Sequence, residues 1–129
     1  MTEEKKYKII IVDDDQFLLD MYVLKFKKEG IDVESFYNGE ELLKKLKDNL
    51  SADLLLLDII IPGMDGLSVL EQIRKEKLAG GMKIVMLTNQ GDPEEIKKAE
   101  SFGVNGYIIK ATAIPSEVVE KVKKILNAN

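Results

Sequence analysis

The 129-residue chain contains no cysteine, no histidine and no tryptophan. Without cysteine there is no disulfide framework, no thiol nucleophile and no thiolate-held zinc. Without histidine there is no imidazole base, no serine–histidine pair, no imidazole-held metal and no phosphohistidine. Chemistry is left to carboxylates, hydroxyls, lysines, the backbone and a hard metal ion. Long hydrophobic runs are missing too. Apolar blocks stop at four residues, as at 54–57, against the roughly 20 needed to cross a bilayer. The polar start, Met1 to Lys6, carries no signal-peptide pattern, so a cytoplasmic location is expected. Net charge is -4 with signs well mixed, so neither nucleic acid nor membrane is an expected partner. A hydrophobic share of 45% excludes disorder. The length fits one domain, 1–129, with a core expected over about 7–126.

Short apolar blocks alternate with amphipathic stretches five times. The blocks lie at 9–12, 33–37, 54–57, 84–87 and 107–109, the second being the weakest. Blocks this short and rich in Ile, Val and Leu suit strands buried on both faces. Between them, helical spacing is expected over 16–29, 39–49, 67–75, 93–102 and 115–126. In the first helix Leu18, Met21, Tyr22 and Phe26 are expected on the core face. Leu19 and Val23 are expected off it, free for a partner. Asn38 with Glu41 reads as a capping box, and Asp92-Pro93-Glu94-Glu95 as a capped helix start. Asp14 or Asp15 is expected to cap the first helix and Asp65 the third. Gly66 is expected to permit a turn, and Gly30, Gly80 and Gly103 to mark helix ends. Strands alternating with helices predict an α/β fold, a three-layer (βα)5 domain with a five-stranded parallel sheet. The flavodoxin-like strand order 2-1-3-4-5 is expected, with the ligand site beyond the carboxyl ends of the strands.

Four of the five blocks end in polar groups. Asp13, Asp14 and Asp15 follow the first, Asp58 the third, Thr88, Asn89 and Gln90 the fourth, and Lys110 the fifth. Converging carboxylates repel, and a divalent cation relieves that repulsion. An oxygen-only ligand set points to Mg²⁺ or Mn²⁺. Lys110 adds a fixed positive charge and Thr88 a hydroxyl donor. Together they suit neutralisation of a transferring phosphoryl group, with an Asp carboxylate as nucleophile.

These residues resemble the response-regulator receiver domain of two-component signalling, over almost the whole chain. The most specific stretch is Asp58-Ile59-Ile60-Ile61-Pro62-Gly63-Met64-Asp65-Gly66. The resemblance implies a stand-alone receiver with Asp58 as phosphoacceptor. Asp13, Asp14, Asp58 and the Ile60 carbonyl would hold Mg²⁺, with Asp14 the more direct of the first two. Thr88 and Lys110 would contact the phosphoryl group. Tyr107 matches an aromatic switch that turns inward with Thr88. The output face would be the fourth helix, fifth strand and fifth helix. A sensor histidine kinase or histidine phosphotransfer protein would donate the phosphoryl group, and a downstream protein would read the result. Such a domain assists its own phosphorylation and dephosphorylation rather than acting on a separate substrate. It would be a monomer or a weak phosphorylation-dependent dimer.

The chain departs from that pattern after Lys110, where Ala111 replaces the usual proline. The bond is usually cis in the family. Cis costs about 3–4 kcal/mol before a residue other than proline, so a trans bond is expected. Asn89 is larger than the family's usual residue. With Gln90 and Ile60 it is expected to restrict access and slow dephosphorylation. The main rival is a haloacid-dehalogenase-type phosphatase with Asp13 as nucleophile and Asp15 as acid/base. It leaves Asp58 and the motif after it unexplained. A phosphate-independent receiver, acting as a binding module, is the second rival.

Overall fold

In the computed structural model, residues 6–78, 80–89, 92–110 and 113–127 are described. Gln90 and the Lys110–Ala111 bond lie outside the described residues. The element order is β1 (Lys8–Val12), α1 (Gln16–Lys28), β2 (Asp32–Phe36), α2 (Gly39–Lys47) and β3 (Leu54–Asp58). It continues with α3 (Gly66–Lys75), β4 (Lys83–Thr88), α4 (Pro93–Ser101), β5 (Gly106–Ile109) and α5 (Pro115–Asn127). All strand pairs are parallel, and the order is β2-β1-β3-β4-β5, as expected.

Strand alternation sorts the core into two layers. Ile10, Val12, Leu55, Leu57, Ile84 and Met86 face α2, α3 and α4. Their neighbours Ile9, Ile11, Leu54, Leu56, Val85 and Leu87 face α1 and α5. Because both faces are covered, β3 is buried at every position. The edge strand β2 buries only Phe36, and its Asp32 and Glu34 give that edge negative charge, which discourages pairing with other chains.

The α1 face is rotated from the expected one. Leu19, Tyr22 and Phe26 are its buried residues, while Leu18, Met21 and Val23 are only half-buried. Leu19 therefore packs in the core and is not a free contact residue. The spacing i, i+3, i+7 follows the helix period as well as the expected set did. The buried phase is the one that packs into the layer shared with the sheet and α5. The α3 end differs too. Lys77 takes the left-handed conformation at φ 55°, and Gly80 lies beyond it.

Candidate functional site

Parallel strands point their carboxyl ends one way, which gathers the residues following β1, β3 and β5. Asp15 caps α1, its Oδ1 accepting from Leu18 N at 3.1 Å. That cap turns the chain sharply after β1. Asp13 is left fully buried, its Oδ1 accepting from Asp15 N at 2.9 Å. Asp14 between them is exposed. Asp58 closes β3, and its Oδ1 accepts from Ile60 N at 3.2 Å. Asp65 caps α3 through Ser68 N. A Cβ on Gly66 would lie 2.1 Å from the Asp58 carbonyl oxygen. Glycine is thus required there by the close approach of α3 to the Asp58 backbone, and the positive-φ turn residue is Gly63 instead. Gly66 N also donates to the Ile59 carbonyl at 2.7 Å, fixing the loop after Asp58.

Lys110 reaches back from β5 to both buried acids. Its Nζ lies 3.0 Å from Asp13 Oδ2 and 2.9 Å from Asp58 Oδ2. One carboxylate oxygen each from Asp13, Asp14 and Asp58 falls within 4.8 Å of the others. Two of the three acids thus share one ammonium. Burial pushes the Asp58 carboxyl up to about 6; Lys110 opposes the shift and Asp13 adds to it. Burial alone would lower the Lys110 ammonium, but hydrogen bonds and charge from Asp58 and Asp13 outweigh it and raise the group. The cluster is short of positive charge. Three oxygens at this spacing fit a small hard cation.

An open cleft of about 500 Å³ lies over the cluster, lined by residues that include Asp14, Asp58, Ile60, Asn89 and Lys110. Ile60 is 60% exposed at its rim, and Asn89, also lining the cleft, is exposed. Thr88 ends β4 in register with Ile109, buried at 2% exposure, and is not among the lining residues. Tyr107 sits two register steps earlier, opposite Met86, and is 45% exposed. Tyr22 was expected only as core. Burial and the acids above it, partly opposed by Lys110, push its hydroxyl up to about 12. Nothing local in the sequence signals that coupling, because Tyr22 reaches the cluster only through packing.

A family model described as the response regulator receiver domain matches residues 9–123. The chain belongs to that family. Receiver domains are the phosphorylation-controlled input units of two-component response regulators, and they bind Mg²⁺ at an acidic pocket. The chain is 36% identical over 129 residues to the transcriptional regulatory protein ResD of Bacillus subtilis, covering 98% of this chain and 50% of that protein. It is 33% identical over 124 residues to the DNA-binding response regulator MtrA of Mycobacterium tuberculosis, covering 96% of this chain and 52% of that one. The chain therefore spans about half the length of these relatives. A CheY-like receiver from Methanospirillum hungatei superposes with a TM-score of 0.84 at 32% identity, covering 95% of each chain. Among the described residues, no helix is long and apolar enough to cross a membrane.

Proposed function

We propose that Asp58 accepts a phosphoryl group from a phosphohistidine on a partner protein, a sensor kinase or a phosphotransfer protein. An Asp58 carboxylate oxygen forms the new O–P bond as the P–N bond of the donor breaks. The released imidazole nitrogen keeps the bonding pair and takes up a proton. Lys110 holds positive charge beside the transferring oxygens. Thr88 supplies a hydroxyl at the adjacent strand end once the phosphoryl group is in place. Tyr107 follows it as the surface signal, read by a downstream protein at α4, β5 and α5. Asp13, Asp14, Asp58 and the Ile60 carbonyl would hold Mg²⁺, which supplies charge neutralisation. Asn89 and Ile60 narrow the cleft and slow hydrolysis. The receiver unit is taken to be the whole chain, as a single domain.

The observation that carries this reading is the difference between the two buried acids. Asp58 opens on the cleft, whereas Asp13 does not line it. Each carboxylate is held by Lys110 and by one backbone N–H, Asp13 by Asp15 N and Asp58 by Ile60 N, so access to the cleft is what separates them. That access counts against Asp13 as the phosphatase nucleophile. Intact-mass measurement with acetyl phosphate is the test. One phosphoryl addition is expected with Mg²⁺, and none without Mg²⁺ or in Asp58→Ala. Labelling that survives Asp58→Ala and disappears in Asp13→Ala would establish the rival enzyme. No labelling under any condition would establish a binding module.

A further inference from the structure

The fourth helix is the least embedded of the five. Ala99 is its one buried residue. Its two ends are held very differently. At the C-terminal end, Arg74 crosses from the last turn of α3. Its Nε donates to the Phe102 carbonyl at 2.8 Å, and its Nη2 to the Gly103 carbonyl at 3.3 Å. Phe102 is the C-cap of α4, and Gly103 follows at φ 76°. The guanidinium thus satisfies exposed carbonyls at the negative end of the helix, where a cation is favoured. Asn105 fastens the same end to β4. Its N donates to the Ile84 carbonyl at 2.7 Å, and its Oδ1 accepts from Ile84 N at 2.8 Å. Phe102 and Val104 pack partly against the core. At the other end the cap is local, Asp92 Oδ1 accepting from Glu94 N. Among the described residues, no hydrogen bond or ion pair ties the side chains of residues 93–97 to another element.

We propose that Arg74 is a positioning residue that makes the C-terminal end of α4 a fixed pivot. The N-terminal end, untied by its side chains among the described residues, follows Thr88 and Asn89 in sequence. Rearrangement at the site therefore enters α4 at its loose end, and Arg74 confines the response to that end. The pivot itself depends only on the contacts above. The direction of signal flow rests on the reading of Asp58 as phosphoacceptor.

Amide hydrogen exchange on the intact chain tests both parts. In the unphosphorylated protein, amides 99–105 are expected to exchange more slowly than amides 96–98. Arg74→Met keeps the aliphatic stem and removes the donors. It should speed exchange at 99–105 roughly tenfold while leaving α1, α2 and β1 unchanged. Arg74→Lys keeps the charge but loses the two-carbonyl grip, so it should fall between. Uniform acceleration across the fold would reduce Arg74 to general stabilisation and overturn the pivot, as would unchanged exchange at 99–105. With beryllofluoride and Mg²⁺, the change in α4 should stay within 96–98 in the parent and spread over the whole helix in Arg74→Met. Equal spread in both proteins would overturn the directional claim. Failure of Asp58 to be labelled by acetyl phosphate is a separate result. It would remove the phosphoacceptor reading and leave the exchange gradient of the unphosphorylated protein to decide the pivot.

Discussion

The two ends of the sheet carry similar residues and use them oppositely. At the amino end, Asp53 Oδ2 accepts from Lys8 N at 2.8 Å, and Lys8 Nζ pairs with Glu34 at 3.2 Å. Lys83 Nζ donates to the Ile125 carbonyl at 2.6 Å, capping the last turn of α5. The Tyr7 hydroxyl donates to Asn127 Oδ1 at 3.1 Å on the same helix. Charges and dipoles there are balanced within the chain. At the carboxyl end, Asp13 and Asp58 pair with Lys110, Asp14 lies beside them, and negative charge is left over. The first arrangement joins strands to helices. The second is short of positive charge and lies beneath an open cleft. Where charge is left unbalanced, rather than where charge occurs, distinguishes the site from the scaffold.

The largest way to break that contrast is to remove the one cation of the site. Lys110→Met should cost about 3–5 kcal/mol in Mg²⁺-free buffer at pH 7, since buried carboxylates lose their partner. Urea denaturation measures it, and added Mg²⁺ should restore part of the loss. A cost near zero would mean the pair contributes nothing to the fold.

Next comes pH. The folded Asp58 carboxyl sits near 6, above its ordinary value of 3.8. Between those values the folded chain holds a proton that the unfolded chain has released. Stability of the Mg²⁺-free protein should therefore fall as pH rises from about 4 to about 6, then level off. The full contribution is on the order of 3 kcal/mol. Asp58→Asn should flatten the difference between the two pH values, and urea midpoints at pH 4.5 and 7 would show it. A parent and variant with the same pH slope would contradict the assignment.

Gly66→Ala should follow, at about 2–3 kcal/mol, because the new Cβ meets backbone that cannot rotate away. Acetyl-phosphate labelling should slow as well, because the same shift moves Asp58. Normal labelling with lost stability would separate the two roles of that contact. The smallest effect belongs to the other end of the sheet. Lys83→Met should cost about 1 kcal/mol and leave labelling untouched. A change in labelling would show that the two ends are not independent.

Much of this was legible in advance because local and global preferences agree. The apolar blocks at 9–12 and 54–57 fall inside β1 and β3. Asn38, Asp65 and Asp92 cap the helices they precede. Asp13, Asp14, Asp58 and Lys110 do meet, since parallel strands put their following residues at one end. What escaped sequence reasoning depends on packing between distant segments. Leu19 rather than Met21 is buried once α1 packs against the sheet and α5. Gly66 is needed for a close approach to Asp58 that no turn pattern announces. Arg74 looks like an ordinary solvated residue on α3 until α4 is laid beside it, 28 positions later.

The sequence by itself determined the alternation of strand and helix, the helix starts and the kinds of groups at each strand end. Those depend on side-chain period and on hydrogen bonds a few residues long. Only the tertiary structure decided that Asp13 is sealed while Asp58 opens on the cleft, and that α4 is gripped at one end. Burial and shared charge are properties of segments far apart in the chain. They exist only once the β1, β3 and β5 termini and the α3–α4 contact have been brought together.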